Sequence, residues 1–344
     1  MTEISASESR FPRHVALAAL LIALVLLPLG LGERPFELRM LTVIFLYAVL
    51  GHGWNVLGGY AGQTSIGHGV FLGIGAYTST LLVLKLGVSP WLGMLAGGAM
   101  AALVGVLIGI PCFRLKGHYF VIATLVVAES AYQLFAAWDW IGGALGLQLP
   151  ISPEGYAGLQ FHRHKAGYYY VALGLLAAAT GLMWWLQRSR FGFVLQAMRD
   201  DEDAVRSLGF SPLAYKLAAM ALSAGIVGTA GVFYAQYVLF IDPASVLALH
   251  LSVLMALIPI LGGAGTVAGP IVGAAVLVPI SEYSRVWFSG SGRNADLLIY
   301  GLLIMLIAAY RPAGLVGMFS QSGEGGARRN KPAAREANAP ANSG

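Results

Sequence analysis

Charge is what this sequence has least of. Lys, Arg, Asp and Glu make up only 11% of its 344 residues, whereas 57% are hydrophobic before its 45 glycines are counted. Soluble domains carry about 25% charged residues, and these supply most of the polar covering that water requires. A soluble enzyme and a disordered chain are therefore excluded. The single cysteine, Cys112, excludes an intrachain disulfide and a multi-thiolate metal site. There is no Gly-Lys dipeptide, hence no phosphate-binding loop of the GxxxxGK[ST] kind. HExxH and GxSxG are missing too, which removes the common zinc-protease and serine-hydrolase motifs. No catalytic residues, metal ligands or chain-bound cofactor are expected. The net charge of +5 needs no nucleic-acid partner, because membrane proteins keep surplus Lys and Arg on the cytoplasmic side.

What the sequence does contain is long apolar runs. In lipid each backbone polar group must pair within its own segment, so such runs form helices of about 20 residues. Ten candidates lie at 15–31, 39–58, 65–86, 91–113, 119–138, 167–187, 217–240, 247–261, 270–288 and 297–310. The expected fold is an all-α polytopic integral membrane protein with about ten transmembrane or re-entrant helices. A β-barrel does not fit, because its strands alternate over about ten residues. The first run is a retained helix, since Glu33-Arg34-Pro35 stands where a signal peptide would be cleaved. With the N-terminus inside, 14 of the 21 Lys and Arg fall on the inner side, which places both termini in the cytoplasm. The chain then divides into a cytoplasmic segment 1–14, a membrane domain 15–310 and a disordered cytoplasmic tail 311–344.

The longest charged stretch, 188–216, lies inside. Val194, Met198, Val205 and Leu208 share one helical face, and Arg199, Asp200, Asp203 and Arg206 share the opposite one. Gly209 suits a helix end, and Pro212 forbids continuation. The spacing predicts an amphipathic helix over 193–208. Membrane-surface helices carry basic polar faces, whereas this one holds the acidic run Asp200-Asp201-Glu202-Asp203. A protein partner is the better explanation.

Asp203-Ala204 followed by Gly209, between two membrane helices, resembles the coupling motif of ABC importer permeases. Gly59-Tyr60-Ala61-Gly62-Gln63-Thr64-Ser65-Ile66-Gly67-His68, Arg114 to Phe120, Ser189-Arg190-Phe191-Gly192, Gly262 to Pro270 and Tyr310 to Leu315 narrow the match. In this order and spacing they resemble the branched-chain amino acid permease family, in its LivM branch. His118 and the stretch Trp140–Leu147 depart from the family pattern. The resemblance implies a permease subunit in the bacterial inner membrane. Its partners would be a paralogous permease, two cytoplasmic ATPases that use ATP and Mg, and an extracytoplasmic solute-binding protein. Leucine, isoleucine and valine would be the substrates, with urea or short amides as the alternative. A secondary transporter coupled to ions through Glu129 and His68 is the rival of another class. Coupling to the ATPase would fall to Val194, Met198, Arg199, Glu202, Asp203, Ala204, Val205, Leu208 and Gly209.

Glycine marks two further segments. Gly58/Gly62 and Gly69/Gly73 have GxxxG spacing, which suits close helix packing. The same stretch equally suits a broken helix that exposes backbone groups to a substrate. Gly262, Gly263, Gly269 and Pro270 mark a second break, and both breaks begin Leu-Gly-Gly, at Leu57 and Leu261. Ionisable groups at membrane depth are costly. Glu129 either meets a substrate ammonium or pairs with a structural cation, and His68 is either a structural hydrogen-bonding group or a ligand. Gly62, Gln63, Thr64, Ser65, Thr124 and Gln133 either line a polar path or join helices.

Overall fold

The computed structural model describes residues 13–30, 34–115, 117–162, 165–288 and 314–316. Almost all of them are helical. The long helices are α1 (Arg13–Gly30), α2 (Pro35–Asn55), α3 (Gly69–Leu86), α4 (Pro90–Cys112), α5 (His118–Ala137) and α6 (Ala166–Arg188). Two short helices, α7 (Arg190–Asp200) and α8 (Glu202–Ser207), precede the long α9 (Pro212–Val238). A single turn, α10 (Pro243–Val246), leads into α11 (Leu249–Gly262) and α12 (Gly269–Phe288). Seven helical stretches are long and apolar enough to cross a membrane, and Gly269–Tyr283 is a shorter apolar helix. Nine of the ten expected spans thus coincide with helices. The tenth, 297–310, lies outside the described residues, as do 1–12 and 317–344.

The boundaries follow local chemistry. Pro35, Pro90, Pro212 and Pro243 open α2, α4, α9 and α10, where a missing N–H costs nothing. In α1, Pro28 leaves the Leu24 carbonyl without its helical donor. The Tyr169 hydroxyl of α6 donates to that oxygen at 2.7 Å, and this fastens α1 to the bundle. Asp242 caps α10 by accepting from the Ser245 amide at 3.1 Å.

The centre is the contact of α3, α4 and α9. It closes because glycines meet backbone. A Cβ on Gly75 would run into Gly228, and one on Gly231 into the Leu72 carbonyl. Between membrane helices, such small-residue contacts replace the hydrophobic drive that lipid removes. α2 packs on α6, α9, α11 and α12. At the end remote from α7 and α8, two-residue strands β1 (Leu147–Gln148) and β2 (Phe240–Ile241) pair antiparallel and tie the α5–α6 connection to the end of α9.

Candidate functional site

Two of the sequence-marked segments are true helix breaks, and they meet. After Asn55, α2 widens into a π-helical turn over Val56–Tyr60, then leaves helical geometry until Gly69. The predicted span 65–86 therefore starts four residues late. The freed backbone is held by side chains. Trp54 Nε1 donates to the Ser65 carbonyl at 2.7 Å, the Ile66 amide to Thr124 Oγ1 at 3.2 Å, and the Gly69 amide to Ser252 Oγ at 2.8 Å. The second break, between Gly262 and Gly269, joins α11 to α12. Asn55 clamps the two: its Nδ2 donates to the Thr266 carbonyl at 2.9 Å and its Oδ1 accepts from the Gly265 amide at 2.8 Å.

The glycines divide accordingly. Gly69 and Gly73 pack closely against Ser252 and Leu247, as their spacing predicts. Gly58 and Gly62 do not form a helix-packing pair. Gly58 clears the Trp54 ring of its own helix, and Gly62, with φ +68, clears the Arg199 side chain. Gly262, Gly263 and Gly269 fold the second break on itself, where a Cβ on Gly269 would strike the Gly263 carbonyl. Pro270 sits in the first turn of α12, and its ring lies 3.2 Å from where a Cβ on Gly51 of α2 would be.

The candidate path residues do not share one cavity. His68 is fully buried, hydrogen-bonded to Ser223 Oγ at 2.8 Å and edged by the rings of Trp54 and Phe71. Ser223 in turn donates to the Gly53 carbonyl at 2.7 Å. Ser65 and Thr124 are buried and spent on the first break. His68 ties the start of α3 to α9 and Thr124 ties α5 to the break, whereas Ser65 Oγ accepts from the Gly67 amide within the break. Gly62 and Thr64 are exposed and Gln63 is half-buried, on the side of Arg199. Glu129 and Gln133 are exposed on α5, where the Gln133 amide donates to Glu129 Oε1 at 3.0 Å. Only 17% of the apolar stretch of α5 is buried, against 78% for α2. Its open face runs Tyr119, Ile122, Val126, Glu129, Gln133, at alternating steps of three and four. Glu129 lies about 16 Å along a helix about 30 Å long. A carboxylate halfway along this apolar helix is thus exposed on the surface of the chain.

The 193–208 segment is two helices, not one. Asp201 adopts extended backbone, φ −153 and ψ 104, and its carboxylate caps α8 by accepting from the Asp203 and Ala204 amides at 2.9 and 3.0 Å. The break resets the helical phase, so the predicted apolar face does not stay on one side. Met198 and Val205 are buried in the chain itself and Val194 is half-buried, while Leu208 is 76% exposed. Those first three are not a docking face. The outward apolar side chains are Phe193, Leu208, Phe210 and Leu213. Asp203 and Ala204 are also exposed. Glu202 turns inward to ion-pair with Lys216 at the start of α9, and Arg206 bridges Asp203 at 2.8 Å and Glu202 at 3.2 Å. Gly209 takes φ +88 just beyond α8, the left-handed conformation that glycine adopts freely.

Arg199 is exposed, as its place on the polar face predicts, and its Nη1 also donates to the Gly59 carbonyl at 3.0 Å, in the π-helical turn. A Cβ on Gly62 would sit 2.5 Å from Arg199 Cγ, and one on Gly265 3.0 Å from Nη1. One guanidinium on α7 therefore covers both breaks. Asn55, which carries the clamp, had no signal beyond being an amide just before Leu-Gly-Gly.

These features define a polytopic α-helical membrane protein, with broken helices joined to an exposed helical loop. The family described as the permease component of branched-chain amino acid transport systems matches residues 37–308, and the chain belongs to it. It is 33% identical to the high-affinity branched-chain amino acid transport system permease protein LivM of Escherichia coli strain K12, over 90% of this chain and 76% of that one. A probable LivM of Methanocaldococcus jannaschii is 26% identical over 65% of this chain and 67% of its own length. The autoinducer 2 import system permease protein LsrC of Salmonella typhi is 27% identical over 47% and 45%. No solved structure matches the chain. The chain is a multi-pass protein of the bacterial inner membrane, and its relatives are transport permeases.

Proposed function

We propose that this chain is one of two permease subunits of an ABC importer for branched-chain amino acids. The second permease would be a paralogue. Two cytoplasmic ATPases would bind ATP and Mg, and an extracytoplasmic binding protein would deliver the substrate. One observation carries the reading: the Glu129–Gln133 pair stands open halfway along the least buried of the seven long apolar helices among the described residues. A charge there is tolerated only against protein or water. The paralogue covers the α5 face, and the seam between the subunits is the path. Glu129 attracts the substrate ammonium, and the apolar neighbours Ile122 and Val126 suit its side chain.

Drive comes from the other end. Phe193, Leu208, Phe210 and Leu213 form the apolar surface that enters a groove on the ATPase. Movement of α7 passes through Arg199 to Gly59, and through the Asn55 clamp to the second break. The Glu202–Lys216 pair carries α8 with α9. Two of the relatives are named for branched-chain amino acids, which supports this substrate over urea and short amides.

The test is uptake into proteoliposomes holding both permeases, with ATPases and binding protein supplied. Leucine uptake requires ATP, and Glu129→Gln lowers it at least tenfold while the complex still assembles. Uptake driven by an ion gradient without the ATPases refutes the importer reading. Full uptake by Glu129→Gln refutes the path.

A further inference from the structure

α3, α4 and α5 do not close on one another. Between them lies a groove of about 670 Å³, bordered among others by Val70, Leu81, Val127, Leu134, Trp138 and Trp140. Its walls are apolar, with Thr78 and Ser130 among the few hydroxyl side chains. The α4 wall belongs to a face whose other residues, Leu92, Leu95, Leu103 and Leu107, are exposed on a membrane-crossing helix. The groove is thus continuous with hydrocarbon.

Its length is informative. From Val70 to Leu81 on α3, and from Val127 to Trp138 on α5, eleven residues rise about 16 Å. Half of a hydrocarbon core of about 30 Å is about 15 Å. The α3 and α5 walls are therefore about as long as one leaflet is thick, and on α5 the groove reaches the end remote from α7 and α8, while Val104 and Ile108 continue it along α4 toward Cys112. Its far end is chemically different. Trp138 and Trp140 are about half exposed there, and Lys85 Nζ sits 3.3 Å from the centre of the Trp140 ring, one turn beyond Leu81. Indoles favour the interface between acyl chains and headgroups, and an exposed ammonium at that level attracts phosphate.

We propose that this groove holds one acyl chain of a membrane phospholipid whose phosphate rests on Lys85. The lipid fills the space that α5 leaves beside α4, and so supports α5 from behind while its other face meets the paralogue. The site stands on the groove and Lys85 alone, and it holds whether or not Glu129 lines a path.

A photoreactive benzoylphenylalanine in place of Leu134 reports the occupant directly. The assembled transporter is placed in nanodiscs of phosphatidylethanolamine and phosphatidylglycerol, irradiated, and the mass of this chain is measured. An adduct of phospholipid mass is expected, and adding Lys85→Gln lowers its yield at least threefold. Ala131→Phe, which fills the groove, removes the adduct while the melting temperature stays within a few degrees. A crosslink to the other permease, or the absence of a lipid adduct in a folded complex, overturns the site. A yield insensitive to Lys85→Gln overturns the headgroup contact.

Discussion

Replacing Arg199 by Gln removes the guanidinium that, among the described residues, reaches both helix breaks. Its bond to the Gly59 carbonyl, at 3.0 Å, is charge-assisted, and such bonds contribute about 1.5–3 kcal/mol. The side chain is 44% exposed, so the lower end applies. Loss of about 1.5 kcal/mol lowers the population in which α7 and the breaks move together by about tenfold. The exposed side chains Leu208 and Phe210, proposed above to meet the ATPase, are untouched, so the complex is expected to assemble and hydrolyse ATP. The assay is substrate imported per ATP hydrolysed, in proteoliposomes with all subunits present. The ratio falls about tenfold in Arg199→Gln. It recovers in part in Arg199→Lys, which keeps a cationic donor but only as a point charge. Gly62→Ala reproduces the loss with Arg199 intact, because the new methyl meets Arg199 Cγ at 2.5 Å and the backbone there has φ +68. An unchanged ratio in both variants refutes transmission through Arg199. Loss of assembly in Arg199→Gln refutes it too, since the residue would then belong to the docking surface.

Leu208→Ala and Val205→Ala separate docking from folding. Leu208 is exposed, so its truncation leaves the melting temperature of the permease unchanged but weakens ATPase binding by about 2 kcal/mol, or about thirtyfold. Val205 is buried, so losing two methyl groups costs about 1.6 kcal/mol of stability, read as a lower melting temperature. Asp201→Ala leaves the Asp203 and Ala204 amides without their acceptor and costs about 1 kcal/mol, seen as roughly fivefold faster hydrogen exchange in α8, while Asp201→Asn keeps the cap. Gly209→Ala must hold φ +88 and costs about 1–2 kcal/mol, visible as faster exchange of the last α8 amides.

Membrane spans were legible in the sequence because lipid enforces a single rule, that backbone groups pair within a segment, and apolar length reports it. The glycine breaks were legible as anomalies, but not their outcome. Gly58/Gly62 and Gly69/Gly73 share one spacing. The first pair clears Trp54 and Arg199 and the second clears α11 and the turn before it, because spacing states how closely something approaches and not what approaches. The α7–α8 misreading has a more specific cause. Periodicity assumes one continuous helix, and a single extended residue shifts every later side chain around the axis. Asp201 signalled that break: an aspartate followed by Glu202 and Asp203 is a cap with an acidic first turn, suited to the positive end of a helix. Taken with Gly209 it marks α8 as a complete small helix between its own start and stop. Once the break is admitted, the inward turn of Val205 and the outward turn of Leu208 follow. The scarce charges then divide as well: Glu202 and Lys216 bind α8 to α9, Arg199 binds α7 to the breaks, and Asp203 is left at the surface. In a chain with so few charged groups, these contacts tie the α7–α8 loop to α9 and to the two breaks.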